Sequence, residues 1–419
     1  MRQDVQPMKI SRVVKNWPRF WPLLALLTVL GLSAAFAQAQ TLKVLYSFTC
    51  LGPGGCAPQA GPTLDGSGNL YGTTYSGGAG DYGVAFKLSH IGASWVLNPL
   101  YSFNAGEDGG YLGVGSLIRV ADGTLFGTTY AGGSKGGGTA FSLRPGPTVC
   151  RVVTCSWTVT VLHPFGGGND GANPDGTIVF DSAGNLYGTT LNGGAYGNGT
   201  VWELTPSGGS WTETILYNFT GGSDGANPTG VVLDSAGNLY GTTASGGIDD
   251  NGTVFELTRS GSGWTKTTLY TFQSVPGGGD PQGVIVDEAG NLYGGTARGG
   301  AYGSGTVYEL SPSQGGWMFT TLYNFNGNDY AGPGNILTRD ASGNLYGATY
   351  GAGLYGYGSV FKLTRSDGGW NFADLHDFTG GDDGGLPGGA LVLDPAGNIY
   401  GTTVEGGSYG YGVLFEITP

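Results

Sequence analysis

The sequence predicts an all-β fold, a seven-bladed β-propeller of four-stranded blades, and three observations support this prediction. A ten-residue motif recurs along the chain, each period contains four strand-like segments, and the first and last segments are out of phase. The motif is D-x-x-G-N-L-Y-G-T-T, and its aromatic residue falls at Tyr71, Phe126, Tyr187, Tyr240, Tyr293, Tyr346 and Tyr400. Steps of 53 to 61 residues separate these aromatics, which is typical of arrays in which one supersecondary unit stacks on copies of itself.

The repeat around Tyr240 shows the four strand-like segments most clearly. They are residues 230–234, 238–243, 253–258 and 264–272. All four are rich in Val, Leu, Thr, Tyr and Phe and are bounded by Gly, Asp, Asn or Ser, which is typical of strands and turns. Four strands per repeat with several repeats per chain indicate a propeller.

The phase of the segments predicts how the ring closes. The fourth-strand pattern L-[YH]-x-F occurs seven times, and its first copy, 45–48, precedes any complete repeat. The last third-strand segment is 413–418, and no fourth-strand segment follows it. We therefore expect an N-terminal strand to complete the last blade, which removes the open sheet edges of an unclosed array. Residues 40–419 are expected to form this single domain.

Residues 1–39 have the pattern of a secretory signal peptide. Five basic residues and one acidic residue lie in 1–22, an apolar run covers 23–36, and Ala-x-Ala steps follow. An uncleaved anchor is the alternative. Export would place the protein outside the cell or in the periplasm, with no membrane span after cleavage. The remaining 12 basic and 29 acidic residues give a net charge of −17, which argues against nucleic acid and anionic membranes as partners.

The four cysteines form two close pairs, Cys50 with Cys56 and Cys150 with Cys155. In an exported protein, an even number of cysteines at short spacing indicates disulfides. The blade assignment puts the pairs on opposite faces of the ring and so favours two local bridges, with free thiols as the alternative. C-x-x-C spacing is missing, so a zinc site is not expected.

Most of the motif is interpreted as structural. Asp and Asn of D-x-x-G-N hydrogen-bond their own backbone in turns, and the Gly accepts a left-handed conformation. The second repeat departs from the pattern, with Val120 at the Asp position and Thr124 at the Asn position. Tryptophans open six of the fourth strands, and we expect them to cover the blade edges.

The whole unit, G-N-L-Y-G-T-T-x-x-G-G-x-x-x-x-G-T-V-F-E-L, resembles the Gloeo/Verruco (GloVer) tandem repeat of exported bacterial proteins. The resemblance covers residues 41–419. It implies a β-propeller at the cell surface or outside the cell, because proteins of this kind commonly carry one of several C-terminal sorting anchors (the choice-of-anchor type). It implies no known catalytic activity. Here the last strand ends at Pro419, so free secretion or periplasmic residence is expected instead of surface attachment.

The candidate ligand surface is the face that carries the loops from fourth to first strands and from second to third strands. The first loop set contributes carboxylates and the second contributes tyrosines, a combination that suits saccharides because rings take apolar sugar faces and carboxylates accept hydroxyl hydrogen bonds. The alternative is that the Asp residues form turns and the Tyr rings pack on neighbouring loops. Arg298 and Glu405 interrupt the repeat near the predicted channel mouth and are candidates for specificity. The other candidates are Asp170, Asp224, Asp382, Tyr82, Tyr196, Tyr302, Tyr355 and Tyr409.

The leading functional hypothesis is an exported, monomeric, non-catalytic binding or interaction module, with glycans or envelope proteins as partners. An extracellular carbohydrate-active hydrolase or lyase using acidic residues of the same face is the second hypothesis, and a structural envelope protein is the third. The three histidines lie on separate blades or hairpins, which argues against a Ser-His-Asp or His-metal site. No cofactor is expected; calcium has only weak support, since D-x-[DN]-x-[DN]-G is missing.

Overall fold

Seven antiparallel sheets of four strands each form a β-propeller, which confirms the predicted fold class. The computed structural model describes residues 40–145, 157–261, 263–275, 277–327 and 332–418. Within these ranges the one helical element is a 3-10 turn at Gly168–Asp170, and no helix has the length and apolar character needed to cross a membrane. Residues 40–419 contain all seven blades with their cores and cluster as one unit.

The strands follow the chain in blade order after β1 (Thr41–Ser47). Blade one consists of β2 (Thr63–Leu64), β3 (Leu70–Thr74), β4 (Val84–Ile91) and β5 (Ser94–Ser102). Blade two consists of β6 (Ile118–Arg119), β7 (Leu125–Thr129), β8 (Thr139–Pro145) and β9 (Trp157–Pro164). Blade three consists of β10 (Val179–Phe180), β11 (Leu186–Thr190), β12 (Thr200–Ser207) and β13 (Ser210–Asn218). Blade four consists of β14 (Ala226–Leu233), β15 (Leu239–Ser245), β16 (Thr253–Ser260) and β17 (Gly263–Thr271).

The remaining blades repeat the same order. Blade five consists of β18 (Gly279–Val286), β19 (Leu292–Arg298), β20 (Thr306–Ser313) and β21 (Gly316–Asn324). Blade six consists of β22 (Thr338–Arg339), β23 (Leu345–Thr349), β24 (Ser359–Ser366) and β25 (Gly369–Asp377). Blade seven consists of β26 (Gly385–Leu393), β27 (Ile399–Glu405) and β28 (Val413–Thr418), with β1 as its fourth strand.

The N-terminal strand closes the ring as predicted. β1 pairs antiparallel with β28 from Thr41 opposite Thr418 to Ser47 opposite Val413. Phe48, directly after β1, is fully buried and packs against Phe86 of blade one at 5.3 Å between ring centroids. The first strand along the chain therefore joins the last blade to the first.

The glycine of L-Y-G-T-T allows close packing within each blade. A Cβ at Gly188 would lie 2.3 Å from the ring of Trp202 on β12, and one at Gly241 would lie 2.6 Å from the ring of Phe255 on β16. The third-strand aromatic thus packs directly on second-strand backbone, and these second strands are buried almost throughout. Any side chain at these glycines would displace the third-strand ring from this position.

Aromatic contacts hold neighbouring blades together. The Phe of each L-[YH]-x-F pattern packs against a third-strand aromatic of the next blade, as Phe219 does on Phe255 and Phe272 on Tyr308, both at 5.2 Å. Trp264 of blade four likewise lies edge-on to Tyr187 of blade three, with centroids 6.2 Å apart. The core is therefore distributed between blades, and Trp264, Trp317 and Trp370 each pack against the second-strand tyrosine of the preceding blade.

Candidate functional site

The two loop sets share one face, which we call the loop face: the fourth-to-first loops together with the second-to-third loops. Asn227 N–H donates to the Asn198 carbonyl at 2.9 Å and Leu386 N–H donates to the Tyr357 carbonyl at 2.7 Å. Each bond joins the start of a first strand, directly after its fourth-to-first loop, to the second-to-third loop of the preceding blade. These contacts link the loop face of one blade to that of the next.

The predicted disulfide between Cys50 and Cys56 is present in the first of these loops. Its Cα atoms are 5.0 Å apart, and Cys56 forms a β-bridge with Ser76 of the neighbouring second-to-third loop. The disulfide closes a loop segment that is rich in glycine and proline. The Cys150 and Cys155 pair lies outside the described residues.

Four of the five predicted tyrosines project into solvent from the tips of their loops. Tyr196, Tyr302, Tyr355 and Tyr409 are 54% to 68% exposed. Tyr82 differs because it is half-buried and packs edge-on against Tyr111 at 5.3 Å. The loop face therefore carries a repeated set of accessible rings on blades three, five, six and seven.

Positive-φ glycines shape these loops, a backbone hydrogen bond closes each one, and a side-chain hydrogen bond anchors the loops of Tyr196, Tyr302 and Tyr355. In blade three, Gly193, Gly194, Gly197 and Gly199 all have positive φ, and Gly199 N–H donates to the Gly193 carbonyl at 2.9 Å. Equivalent bonds from the residue before the tyrosine to the end of the fourth strand are Ala195 N–H to Asn218 Oδ1 (2.8 Å), Ala301 N–H to Asn324 Oδ1 (2.9 Å) and Leu354 N–H to Asp377 Oδ1 (3.1 Å).

This anchoring decides where the tyrosines lie on the loop face. The bonds to the ends of the fourth strands hold the loops of Tyr196, Tyr302 and Tyr355 over the outer strands. Tyr196 is close enough to Tyr217 on β13 to contribute, after burial and Asp224, to raising the pKa of Tyr217 to about 12. Tyr409 makes the same kind of contribution at Tyr46 on β1, where burial is the larger cause of the raised pKa.

The predicted aspartates act within the fourth-to-first turns. Asp224 Oδ2 accepts hydrogen bonds from Tyr217 OH at 2.9 Å and from Thr220 N–H at 3.0 Å. Asp170 pairs in the same way with His163, and Asp383 pairs with His376 at 3.0 Å. The partner always lies seven residues earlier, a spacing visible in the sequence. Asp382, the predicted member of its pair, is exposed instead.

Arg298 and Glu405 occupy equivalent places, as the last residues of β19 and β27, and both are exposed. Arg298 Nη2 lies 3.4 Å from the backbone oxygen of Asp250 in the preceding blade. Their blades are two apart, so they are separate points on the loop face and do not form one site by themselves.

Sequence reasoning missed a small cavity at the centre of the ring. Its volume is about 180 Å³, and blades two to seven all contribute to its lining. Asp175 Oδ1 accepts hydrogen bonds there from Val114 N–H at 3.0 Å and Gly176 N–H at 3.1 Å. Burial raises the pKa of this carboxyl, and the two hydrogen bonds only partly oppose that effect. One feature of the sequence marks this position: blade three has Asp175 where blade four has Thr229.

Sequence reasoning also missed a cluster between the outer strands of blades two and three, which we call the blade 2–3 cluster: His163, Asp170 and Glu213. His163 Nε2 lies 2.8 Å from Asp170 Oδ1 and 3.4 Å from Glu213 Oε2, and Lys135 Nζ lies 2.9 Å from Asp170 Oδ2. Burial and then Asp170 raise the pKa of Glu213 well above its usual range. Among the described residues this is the group whose ligand atoms could hold a metal ion, since they lie within 4.8 Å of one another.

Comparison with known proteins gives a family and a set of similar folds. The family model described as the Gloeobacter/Verrucomicrobia repeat matches residues 32–156, 145–339 and 280–419. No curated protein matches the chain.

Two solved structures illustrate the similarity of fold. One is the extracellular domain assigned to a one-component system of B. thetaiotaomicron, with 12% identity, a TM-score of 0.54, and coverage of 90% of this chain and 42% of that one. The chain thus spans less than half the length of that relative. The other is a protein assigned as a 6-phosphogluconolactonase from Bacteroides uniformis, with 13% identity, a TM-score of 0.51, and coverage of 76% and 84%. At these identities the similarity shows the fold alone.

Proposed function

This chain belongs to the Gloeobacter/Verrucomicrobia repeat family, and from that premise we propose that it is an exported, non-catalytic binding module. Its ligands are glycans, bound by the exposed tyrosines of the loop face. The observation that carries this proposal is the exposure of Tyr196, Tyr302, Tyr355 and Tyr409 on loops that are each closed by a backbone hydrogen bond. Binding residues on a rigid scaffold lose little conformational entropy when a ligand binds.

The chemistry of these loops suits a sugar surface. A tyrosine ring offers an apolar face to the C–H face of a pyranose, and its hydroxyl group offers a hydrogen bond. The central cavity, at about 180 Å³, is smaller than the roughly 300–1,000 Å³ of usual small-molecule pockets. Ligand binding on the outer loop face is therefore favoured over binding inside the ring.

The repetition of the tyrosine loop has a consequence for affinity. Each loop alone offers a small contact, so each site is expected to be weak. A polymer with repeated sugar units can engage several loops at once, and avidity then exceeds the affinity of any one site. An extended or surface-bound polysaccharide fits this arrangement better than a free monosaccharide.

Export is part of the same proposal. The apolar segment within residues 1–39 and the Cys50–Cys56 disulfide both support an oxidising location outside the cytoplasm. The hydrolase or lyase alternative would need two carboxylates poised on one substrate. On the loop face, Asp170, Asp224 and Asp383 are instead each hydrogen-bonded to the fourth-strand residue seven positions earlier.

The test is a glycan-array screen of purified residues 40–419, followed by titration of the best polysaccharide. Tyr196→Ala and Tyr302→Ala should each weaken binding by roughly three- to tenfold, the value of one aromatic contact. The control is Ile91→Ala, because Ile91 is a similarly exposed apolar residue in a third-to-fourth-strand hairpin on the opposite face. Binding that survives both tyrosine changes, or that Ile91→Ala weakens equally, would contradict the proposal. Product release that depends on one carboxylate would favour the enzyme instead.

A further inference from the structure

The fourth strands of neighbouring blades meet at one repeated position. The residue two places after the fourth-strand tryptophan lies against the Tyr or His of the preceding blade's L-[YH]-x-F pattern. Phe319 stacks on Tyr270 with centroids 4.2 Å apart, and Lys266 lies over the Tyr217 ring at 5.8 Å. These contacts are ordinary stacking and cation–π packing.

The same position between blades two and three is chemically different. Here Glu213 of β13 lies against His163 of β9, and Asp170 from the intervening loop completes the blade 2–3 cluster. Three side chains that can each offer a ligand atom therefore come from three separate elements, and they are only 13% to 19% exposed. Two carboxylates this close in a half-buried place repel each other unless a cation or proton compensates them.

The hydrogen bonds of the cluster leave ligand capacity unused. Asp170 Oδ2 accepts bonds from Lys135 Nζ at 2.9 Å and Gly166 N–H at 2.8 Å, whereas Oδ1 points to His163 Nε2. Glu213 Oε1 is fully buried and has no hydrogen-bond partner among the described residues. A buried carboxylate oxygen without a donor is costly, and a bound cation would satisfy it.

We propose that the blade 2–3 cluster is a binding site for one divalent transition-metal ion of the Zn²⁺ type. The ligands are His163 Nε2, Asp170 Oδ1 and the carboxylate of Glu213. One imidazole and two carboxylates suit Zn²⁺, with bonds of about 2.0–2.2 Å, better than Ca²⁺, which prefers an all-oxygen set. The partial exposure of the cluster leaves a route for the ion and a fourth position for water. The ion would link the outer strands of blades two and three.

Lys135 allows a prediction of the direction in which Zn²⁺ affinity should change. Its ammonium group bonds the same carboxylate as the ion would and repels a second cation. Because the Lys135 side chain is about half exposed, it can move aside into solvent. Lys135→Gln should therefore tighten Zn²⁺ binding by at least threefold, whereas a purely structural ion-pair cluster would only lose a partner.

The blade 6–7 turn supplies a matched control. His376 pairs with Asp383 at 3.0 Å, as His163 pairs with Asp170, and no group of three ligands forms there among the described residues. His376→Gln removes an equivalent histidine from an equivalent turn. It should leave Zn²⁺ affinity unchanged.

The experiment is calorimetric titration of chelator-treated residues 40–419 with ZnCl₂. One ion should bind per chain, and His163→Gln and Glu213→Gln should each weaken binding at least tenfold. Each variant is first melted without metal, so that a folding defect is recognised, and Glu213→Gln keeps the side-chain shape should His163→Gln fail to fold. The proposal is overturned if wild-type protein binds no stoichiometric Zn²⁺, if His376→Gln weakens binding as much as His163→Gln, or if Lys135→Gln also weakens it.

Discussion

At the scale of the residue, Asp287 shows why the recurring motif begins with aspartate. Its Oδ1 accepts hydrogen bonds from Ala289 N–H and Asn291 N–H, both at 2.9 Å. Its Oδ2 accepts bonds from Asn291 Nδ2 at 3.0 Å and Tyr293 OH at 3.2 Å. One carboxylate therefore closes the turn between β18 and β19 and also holds the buried tyrosine.

Asp287→Asn should destabilise the protein in a pH-dependent way. Partial burial alone would raise the pKa of Asp287, but the hydrogen bonds from Asn291, Ala289 and Tyr293 outweigh it and lower the pKa. The stabilisation is thus fully present above the unfolded-state pKa of about 4 and is lost as pH falls through the lower folded-state value. The variant places an amide donor against donors, so we expect a free energy of unfolding about 1–2 kcal/mol lower at pH 7.

Differential scanning calorimetry of both proteins from pH 7 to pH 2 checks this expectation. The melting difference should shrink on acidification, because the wild-type carboxyl also becomes protonated. Asp249→Asn is the control, since Asp249 is exposed in a loop and the substitution changes charge equally. A constant difference at all pH values would mean that the charge of Asp287 is unimportant to the turn.

At the scale of the element, a fourth strand pairs with its own blade through its backbone and packs against the next blade through its side chains. β1 pairs along β28, yet its adjoining Phe48 is buried against Phe86 of blade one. Leu45 of β1 is also buried. Loss of this strand therefore breaks one sheet and one blade–blade contact together.

Deletion of residues 40–48 should lower stability markedly. Truncation of a single buried Phe costs about 3–5 kcal/mol, and the deletion removes Phe48, Leu45 and the strand pairing as well. The melting temperature of residues 49–419 should fall by at least several degrees relative to residues 40–419. The exposed edge of β28 should also promote self-association, which light scattering would detect. Equal melting and a monomeric state for both chains would show that β1 does not close the ring.

At the scale of the whole molecule, the features that recur in every repeat were predictable from the sequence. The features that arise at a single interface between two blades were not. The period, the four segments and the phase offset at Leu45–Phe48 were enough for the blade number and the closure. The blade 2–3 cluster was missed because His163, Asp170 and Glu213 follow different local patterns. Their meeting depends on which fourth-strand residue faces the preceding blade, and that requires the inter-strand geometry. The outward position of the tyrosine loops also depends on contacts between distant residues, since Ala195 N–H donates to Asn218 Oδ1 across 23 residues.

A closed ring of similar blades should tolerate a different point of opening. Thr41 opposite Thr418 is the counterpart of Thr212 opposite Thr205 in blade three, where the hairpin runs two pairs further to Ser210 opposite Ser207 and Gly208 and Gly209 join the strands with positive φ. Pairs two residues apart have the same hydrogen-bond type in an antiparallel ladder, so a two-residue turn also fits the shorter hairpin. An Asn-Gly turn can therefore join residue 418 to residue 41, and the chain can be cut between Gly208 and Gly209. In this permutant β13 becomes the N-terminal strand that closes blade three. Because every pairing is kept, it should show the same circular dichroism and melt within about 5 °C of the parent, on the order of the shift from one or a few lost contacts. A permutant that melts as low as the chain lacking residues 40–48 would instead show that closure at blade seven is required, and that the blades are not equivalent in folding.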